Sequence, residues 1–537
     1  MHKLPLYLRA DVQIEPLVDH WYAWSHLISP ATLARNITHR HFRIMDSYLS
    51  APELHANAAK DPRMLGGPFI DHGGKRVEEI RALRDETRQR RGPLVELSAA
   101  LEQLDGLLRT APTGHALAPL YERVPEALRG YVELSYDLRD NAGFRLLEAL
   151  LYRSRFFDPS GQSVLLSITK GDDRPFVLST PRLPDESDLH LHWQFADERV
   201  NRLADLRVRP ARWDQICDGL GFTEAEAARF RPLLTEEPPP PYDAYRGNGV
   251  RWRYFGHACI LLETRDVSIL FDPVLSYTYE STISRYTYLD LPDRIDYVVI
   301  THNHMDHILL ETLLQLRPRV GEIVIPRGGS GALQDPSLKL AFAHSGFQRV
   351  RELAELETIE FESGSLTGVP FLGEHADLAI STKLAYLVRL GDEQLLFAAD
   401  SCAPDGCVYS HVRSVTGEVG TLFLGMECEG APLSWLYGPL LLRQIERGSD
   451  RSRRLSGSDY AQAIDMVERL GCRDVYVYAM GQEPWLNHVM SIRYTSESKP
   501  IVESDRLLRE CAVRGIGAER LFGEKEILLD RIYARSA

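Results

Sequence analysis

The run Tyr297-Val-Val-Ile-Thr-His302-Asn-His304-Met-Asp306-His307 places four side chains that can ligate a metal within six residues. In extended backbone His302 and His304 point the same way, because side chains alternate with a period of two. Asp306 and His307 fall where the chain turns and can face a second ion. The spacing therefore points to two neighbouring metals. A polar loop with scattered histidines is the plain alternative, and the apolar run in front of the motif argues against it.

These side chains need rigid neighbours. The β-branched residues up to Ile300 read as a buried strand, and Ile308-Leu-Leu-Glu-Thr-Leu-Leu-Gln-Leu316 reads as an amphipathic helix. A strand that ends, exposes ligands and feeds a helix holds metals well. Upstream, Phe255 to Thr264 and Ser268-Ile-Leu-Phe-Asp272-Pro273 read as a hairpin. Downstream, 321–326, 384–390, 394–398 and 475–478 read as strands alternating with helices, an α/β pattern with mixed sheets.

The first half differs. Up to about residue 150 it reads as mostly helical, with apolar residues at spacings of three and four from Leu94 to Leu108. Trp21, Tyr22 and Trp24 form a bulky cluster that needs a core or an interface. Strands follow at 163–169 and 189–195. His190 and His192 repeat the spacing of the metal motif, but no carboxylate follows closely, so they read as an ordinary polar strand face. Four consecutive prolines, Pro238 to Pro241, stop both helix and sheet. The domain boundary falls near 236–249, giving an N-terminal domain at 1–240 and a catalytic domain at 247–537.

The chain has 537 residues and a net charge of −14. Two or more domains are expected at this length. The acidic balance argues against nucleic acid as a partner. No stretch approaches the ~20 apolar residues that span a bilayer, and charge comes too early at the N-terminus for a secretory signal. Seven cysteines without a paired framework fit reduced thiols in a cytoplasm. Cys402 and Cys407 read as structural or incidental.

Gly256-His-Ala, Phe271-Asp-Pro and Thr301-His-x-His-x-Asp-His307 together resemble the metallo-β-lactamase superfamily over roughly residues 249–537. The implied fold class is an α+β and α/β chain: a C-terminal αββα sandwich with metals at one sheet edge, and an N-terminal mixed, largely helical domain. The motif specifies the fold more than the reaction. Further features narrow it: Leu372-Gly-Glu374-His-Ala-Asp, Leu396-Phe-Ala-Ala-Asp400-Ser, Gly425-Met-Glu-Cys-Glu-Gly, Tyr478-Ala-Met-Gly-Gln-Glu-Pro-Trp485 and Trp21-Tyr-Ala-Trp24. The set resembles the diiron β-hydroxylases that act beside nonribosomal peptide synthetases.

That resemblance implies metal ligands His302, His304, Asp306, His307, Glu374 and Asp400, with Glu374 and Asp400 as the catalytic carboxylates. Asp400 would bridge the ions and Glu374 would bind one of them. Three imidazoles and three carboxylates make a harder site than a histidine-rich dizinc centre. The implied cofactors are two non-haem iron ions, with dioxygen as co-substrate and an external electron donor. No flavin or nicotinamide fingerprint is present. The implied partners are an aminoacyl-loaded carrier (thiolation) domain and a reductase. The N-terminal domain would serve carrier docking or a homodimer interface.

Glu374 and His375 are adjacent, and in a strand they would face opposite ways. If His375 were the ligand and His488 joined it, the site would be a conventional dizinc hydrolase. His488 otherwise reads as a surface loop residue. His257 is a candidate for orienting a ligand and Asp272 for structural hydrogen bonding. Glu427 and Glu429 either line the pocket or are solvated. Arg447, Arg451, Arg453 and Arg454 either hold a pantetheine phosphate or an acidic carrier, or form a solvated loop. A binding protein on a disabled metal fold is the third reading, against which the full ligand set argues.

Overall fold

In the computed structural model, residues 4–111 and 113–529 are described. Two seven-stranded sheets stack face to face over the second half of the chain. One has the order Val350–Leu353, Val320–Pro326, Ile295–Val299, Ser268–Phe271, Ile260–Glu263, Val250–Tyr254, Lys525–Leu529. The other has the order Thr358–Phe361, Gly364–Val369, Ala385–Leu390, Glu393–Phe397, Thr421–Gly425, Asp474–Tyr478, Gly517–Arg520. Both sheets are mixed. Parallel pairs need crossovers, and helices such as Leu310–Leu316 and Tyr460–Leu470 supply them. Between the sheets, Phe271 stacks on Phe397 at 3.9 Å and Trp252 meets Phe423 edge-on at 5.2 Å. Strands buried on both faces explain why the sequence reads as continuous apolar runs here rather than as alternation.

The hairpin expected around 255–271 is present, with Ile260–Glu263 antiparallel to Ser268–Phe271. Residues 236–249 carry neither helix nor strand. Proline's fixed φ and missing N–H account for that.

The first half mixes helices with strands, and one strand is not evident in its sequence. Val12–Val18 is a fully buried strand paired with Gln162–Ile168 in a four-stranded sheet. Its apolar residues alternate only in part, and Pro16 masks the pattern. Tertiary burial decides the conformation. The helix expected around 94–108 runs Gly92–Thr110 and buries Leu97, Leu101 and Leu104. His190 bonds Ser163 Oγ at 2.8 Å, an ordinary strand contact.

Trp21, Tyr22 and Trp24 are buried within the chain, at 1%, 1% and 2% exposure. They belong to one apolar cluster that also contains Leu310, Leu313 and Tyr437 from the second half. The aromatic cluster is therefore core, and a homodimer would have to use another surface. Its segment also braces the metal loop. Tyr22 donates to Glu311 Oε2 at 2.6 Å, and Ser25 donates to Asn303 at 2.6 Å. Among the described residues no helix is long and apolar enough to cross a membrane.

Candidate metal centre

Every candidate ligand sits at a strand end or in the loop that follows one. His302, His304, Asp306 and His307 follow the Ile295–Val299 strand and precede the Leu310–Leu316 helix. Asp400 follows Glu393–Phe397, and Glu374 lies in the loop beyond Gly364–Val369. Several loop residues adopt left-handed backbone, including His257, Asp272, Glu374 and Ala399 (φ +52°, +36°, +66° and +45°). Strain of this kind persists where the surrounding structure over-determines it, commonly at functional sites. Gly425 admits Asp400: a Cβ there would stand 2.5 Å from Asp400 Oδ1. Gly256 similarly makes room for Trp485.

The six candidates converge. His304 Nδ1 is 2.8 Å from Glu374 Oε1, and His302 Nε2 is 3.9 Å from Glu374 Oε2. His307 Nε2 lies 3.1 Å from Asp400 Oδ2 and 3.6 Å from Asp306 Oδ2. His302 Nε2 is 3.8 Å from the same Asp400 oxygen. Two ligand groups result, one around His304 and Glu374 and one around Asp306 and His307. Asp400 and His302 stand between them.

Supporting contacts fix the donors. Asp272 accepts from the Thr301 amide at 2.8 Å and from His307 Nδ1 at 2.8 Å. The Gly481 amide donates to His257 Nδ1 at 3.2 Å, which leaves Nε2–H to donate to Asp306 Oδ2 at 3.0 Å. Tyr437 Oη lies 2.9 Å from His304 Nε2, leaving Nδ1 on the Glu374 side. Such outer contacts set tautomer and ring orientation. Tyr437 is 133 residues from His304 in sequence, and no local signal marks it. Lys383 was also not evident from sequence; it donates to the Gly373 carbonyl at 3.1 Å and steadies the Glu374 loop.

Glu374 and His375 do not face opposite ways. Their loop is irregular, with Glu374, Ala376 and Asp377 all left-handed, so strand alternation does not apply. His375 Nδ1 lies 3.0 Å from Glu374 Oε2, and both residues reach the His302–His304 group. His488 is not a surface residue. It is 1% exposed in the Asn487–Met490 helix, beside Tyr22 and outside the metal-ligand groups of the described residues. Glu427 and Glu429 line a cavity of about 320 Å³ whose floor carries His304, Asp306, Glu374 and Asp400. All seven cysteines are free thiols.

The donor set suits cations. His302 Nε2 and Asp400 Oδ1 are buried without a hydrogen-bond partner, a costly arrangement unless something positive meets them. Burial and neighbouring histidines hold the His302 imidazole well below its usual range, so it is a neutral ligand. Burial raises Glu374, but His304 and His375 outweigh it and keep the carboxyl below the usual carboxylate range. Burial lowers His307, yet Asp400, Asp306 and Asp272 together pull it well above its usual range. Three carboxylates around one imidazole call for positive charge there. Three nitrogens and three oxygens from the six residues match iron, and oxygen donors favour its oxidised states more than imidazoles alone do.

The paired sheets, with ligands at one edge, define a metallo-β-lactamase-fold protein with a dinuclear centre. Residues 268–422 match the model of the β-lactamase superfamily domain. Residues 7–238 match the diiron non-haem β-hydroxylase N-terminal domain. The chain is 41% identical over 529 residues to the Streptomyces venezuelae 4-amino-L-phenylalanyl-[CmlP-peptidyl-carrier-protein] 3-hydroxylase, covering 96% of this chain and 98% of that protein. The crystal structure of CmlA, a diiron β-hydroxylase from the same organism, superposes with a TM-score of 0.91 at 39% identity. It covers 98% of this chain and 100% of that one. A point variant of CmlA superposes with a TM-score of 0.90. The chain belongs to this family of non-haem diiron β-hydroxylases.

Proposed function

We propose that this enzyme hydroxylates the β-carbon of an amino acid held as a thioester on the carrier domain of a nonribosomal peptide synthetase. The end-to-end 41% identity to a hydroxylase whose substrate is an aminoacyl carrier protein carries the reading. The overall change balances as substrate C–H plus dioxygen, two electrons and two protons giving C–OH plus water. The electrons come from an external reductase. Cytoplasmic residence fits the unpaired cysteines. The N-terminal domain (1–240) would support docking and the catalytic domain (247–537) the chemistry, with a homodimer as the assembly.

In this reading His302, His304, Asp306, His307, Glu374 and Asp400 hold two iron ions. Bound iron supplies the dioxygen activation that side chains cannot. The rest falls to the protein. Asp272 and His257 hold His307 and Asp306 in position, and Tyr437 holds His304. Asp400, which groups with His302 and His307, would bridge the two ions. Glu374, on left-handed backbone and lining the cavity, would hold one of them. The apolar part of the cavity wall, Val489, Met490 and Leu436 among it, would shield the reacting carbon from water.

The test is to load iron, reduce the protein without oxygen, then admit oxygen with a panel of aminoacyl-loaded carrier domains. A sixteen-dalton gain on the loaded arm, with two irons per chain, is the expected result. Zinc-loaded protein that releases the amino acid by thioester hydrolysis, with no mass gain, would establish the dizinc hydrolase instead.

A further inference from the structure

The segment Arg447–Leu455 reaches the metal cavity at its end, where Arg454 and Leu455 line it. It is laid along residues 430–435, of which Gly430, Ala431, Pro432 and Trp435 line the cavity. The Leu433 amide donates to the Arg453 carbonyl at 2.8 Å, and the Leu455 amide to Ala431 at 2.9 Å. Pro432 and Arg454 form an antiparallel bridge. The Ser434 amide is tied to Asp450 at 2.8 Å. Arg454 lines the cavity directly. Its Nη1 donates to the Gly430 carbonyl at 2.8 Å and its Nε to Arg451 at 3.3 Å. These bonds hold the guanidinium at the mouth and leave Nη2 without a protein partner among the described residues.

Arg447 and Arg451 are exposed on the same segment. None of these guanidiniums has an ion pair among the described residues. Arg453 differs: its Nε donates to the Ala376 carbonyl at 2.9 Å, bracing the Glu374 loop. The cavity thus runs from an acidic, metal-binding floor through apolar walls to a cationic rim, although the exposed Glu429 also stands on it. An acyl thioester on a long uncharged arm that ends in a phosphodiester has the same order of polarity.

We infer that Arg454, with Arg451 beside it, forms a seat for the phosphodiester of a carrier domain's pantetheine arm, so that the arm's length sets how far the acyl group reaches toward the metals. This rests on the proposed function. Guanidinium–phosphate contacts are charge-assisted and directional, while their exposure makes them sensitive to salt.

The probes are phosphopantetheine and pantetheine, titrated calorimetrically into the iron-loaded enzyme. Phosphopantetheine should bind about tenfold more tightly, roughly the discrimination expected of a few partly exposed charge-assisted bonds. The preference should shrink with salt and vanish in R451A/R454A. The lysine version R451K/R454K should keep part of it, and unchanged iron content separates lost binding from lost folding. Equal affinity of the two probes for the wild type, or a preference that survives the double alanine variant, overturns the seat. Hydroxylation is read separately by mass on a loaded carrier. Selective phosphopantetheine binding without a mass gain leaves the seat standing and removes only the hydroxylase reading.

Discussion

Replacing Arg174 with methionine tests whether the N-terminal half is an integral brace of the metal loop. Arg174 Nη2 lies 2.6 Å from Glu15 and 2.7 Å from Glu311. Their side chains are 12%, 5% and 2% exposed. Glu15 also pairs with Arg182 at 2.9 Å, while Glu311 accepts from Tyr22 and Tyr277 at 2.6 and 2.7 Å. Two guanidiniums balance two carboxylates. Methionine leaves one carboxylate uncompensated in the interior, which costs about 3–5 kcal/mol. At roughly 2.1 cal/mol/K per residue, a chain of 537 residues that melts as one unit should lose about 3–4 °C in Tm. The shared apolar cluster supports treating it as one unit. Arg174→Met/Glu311→Gln restores neutrality and should lose clearly less than the two single variants together. Burial alone would raise the Glu15 carboxyl, but Arg182 and Arg174 outweigh it and hold it at about 2 against 4.5. Because the folded value is depressed, that stability is present above 4.5 and fades as pH falls toward 2. The variant should therefore unfold at a higher pH than the wild type. Glu311 is four residues beyond His307, so chelators should also strip iron faster from Arg174→Met. Melting within 1 °C of the wild type, or strict additivity in the double variant, would refute the brace.

Three further outcomes are expected. Glu148 is 7% exposed, accepts from the Ser337 amide, and is raised by burial from 4.5 to about 7. A raised carboxyl favours folding below its unfolded value and loses that contribution as pH rises. The wild type should therefore lose about 3 kcal/mol relative to Glu148→Gln between pH 4.5 and 7, and parallel urea-stability curves across that range would sink the idea. Glu374→Ala should lower bound iron and abolish the mass gain, while His375→Ala should keep the iron; iron analysis showing the reverse makes His375 the ligand. Gly425→Ala drives a Cβ against Asp400 and should cost about 1–3 kcal/mol and weaken iron retention, and wild-type iron content with an unchanged melting curve would contradict it.

The metal motif was legible in sequence because its ligands are close together and flanked by elements of clear periodicity. His302 and His304 lie beyond a strand end, and Asp306 and His307 at the turn before a helix. The sheets of the sandwich were legible as buried apolar runs. The Val12–Val18 strand was not, because its proline and partial alternation disguise a conformation set by burial. Nor was the fate of Trp21, Tyr22 and Trp24, since bulk asks for burial without saying against what.

Local composition determined this protein's metal chemistry and superfamily: His-x-His-x-Asp-His after an apolar strand carries its own geometry. Tertiary structure alone decided what surrounds that chemistry. Glu374 and Asp400 were nominated by resemblance, but only folding put their oxygens against His304 and His307. Tyr437, His257 and Asp272 reach their partners across 133, 49 and 35 residues. Short-range periodicity cannot encode such contacts, because they depend on how two sheets and an N-terminal brace close on one another.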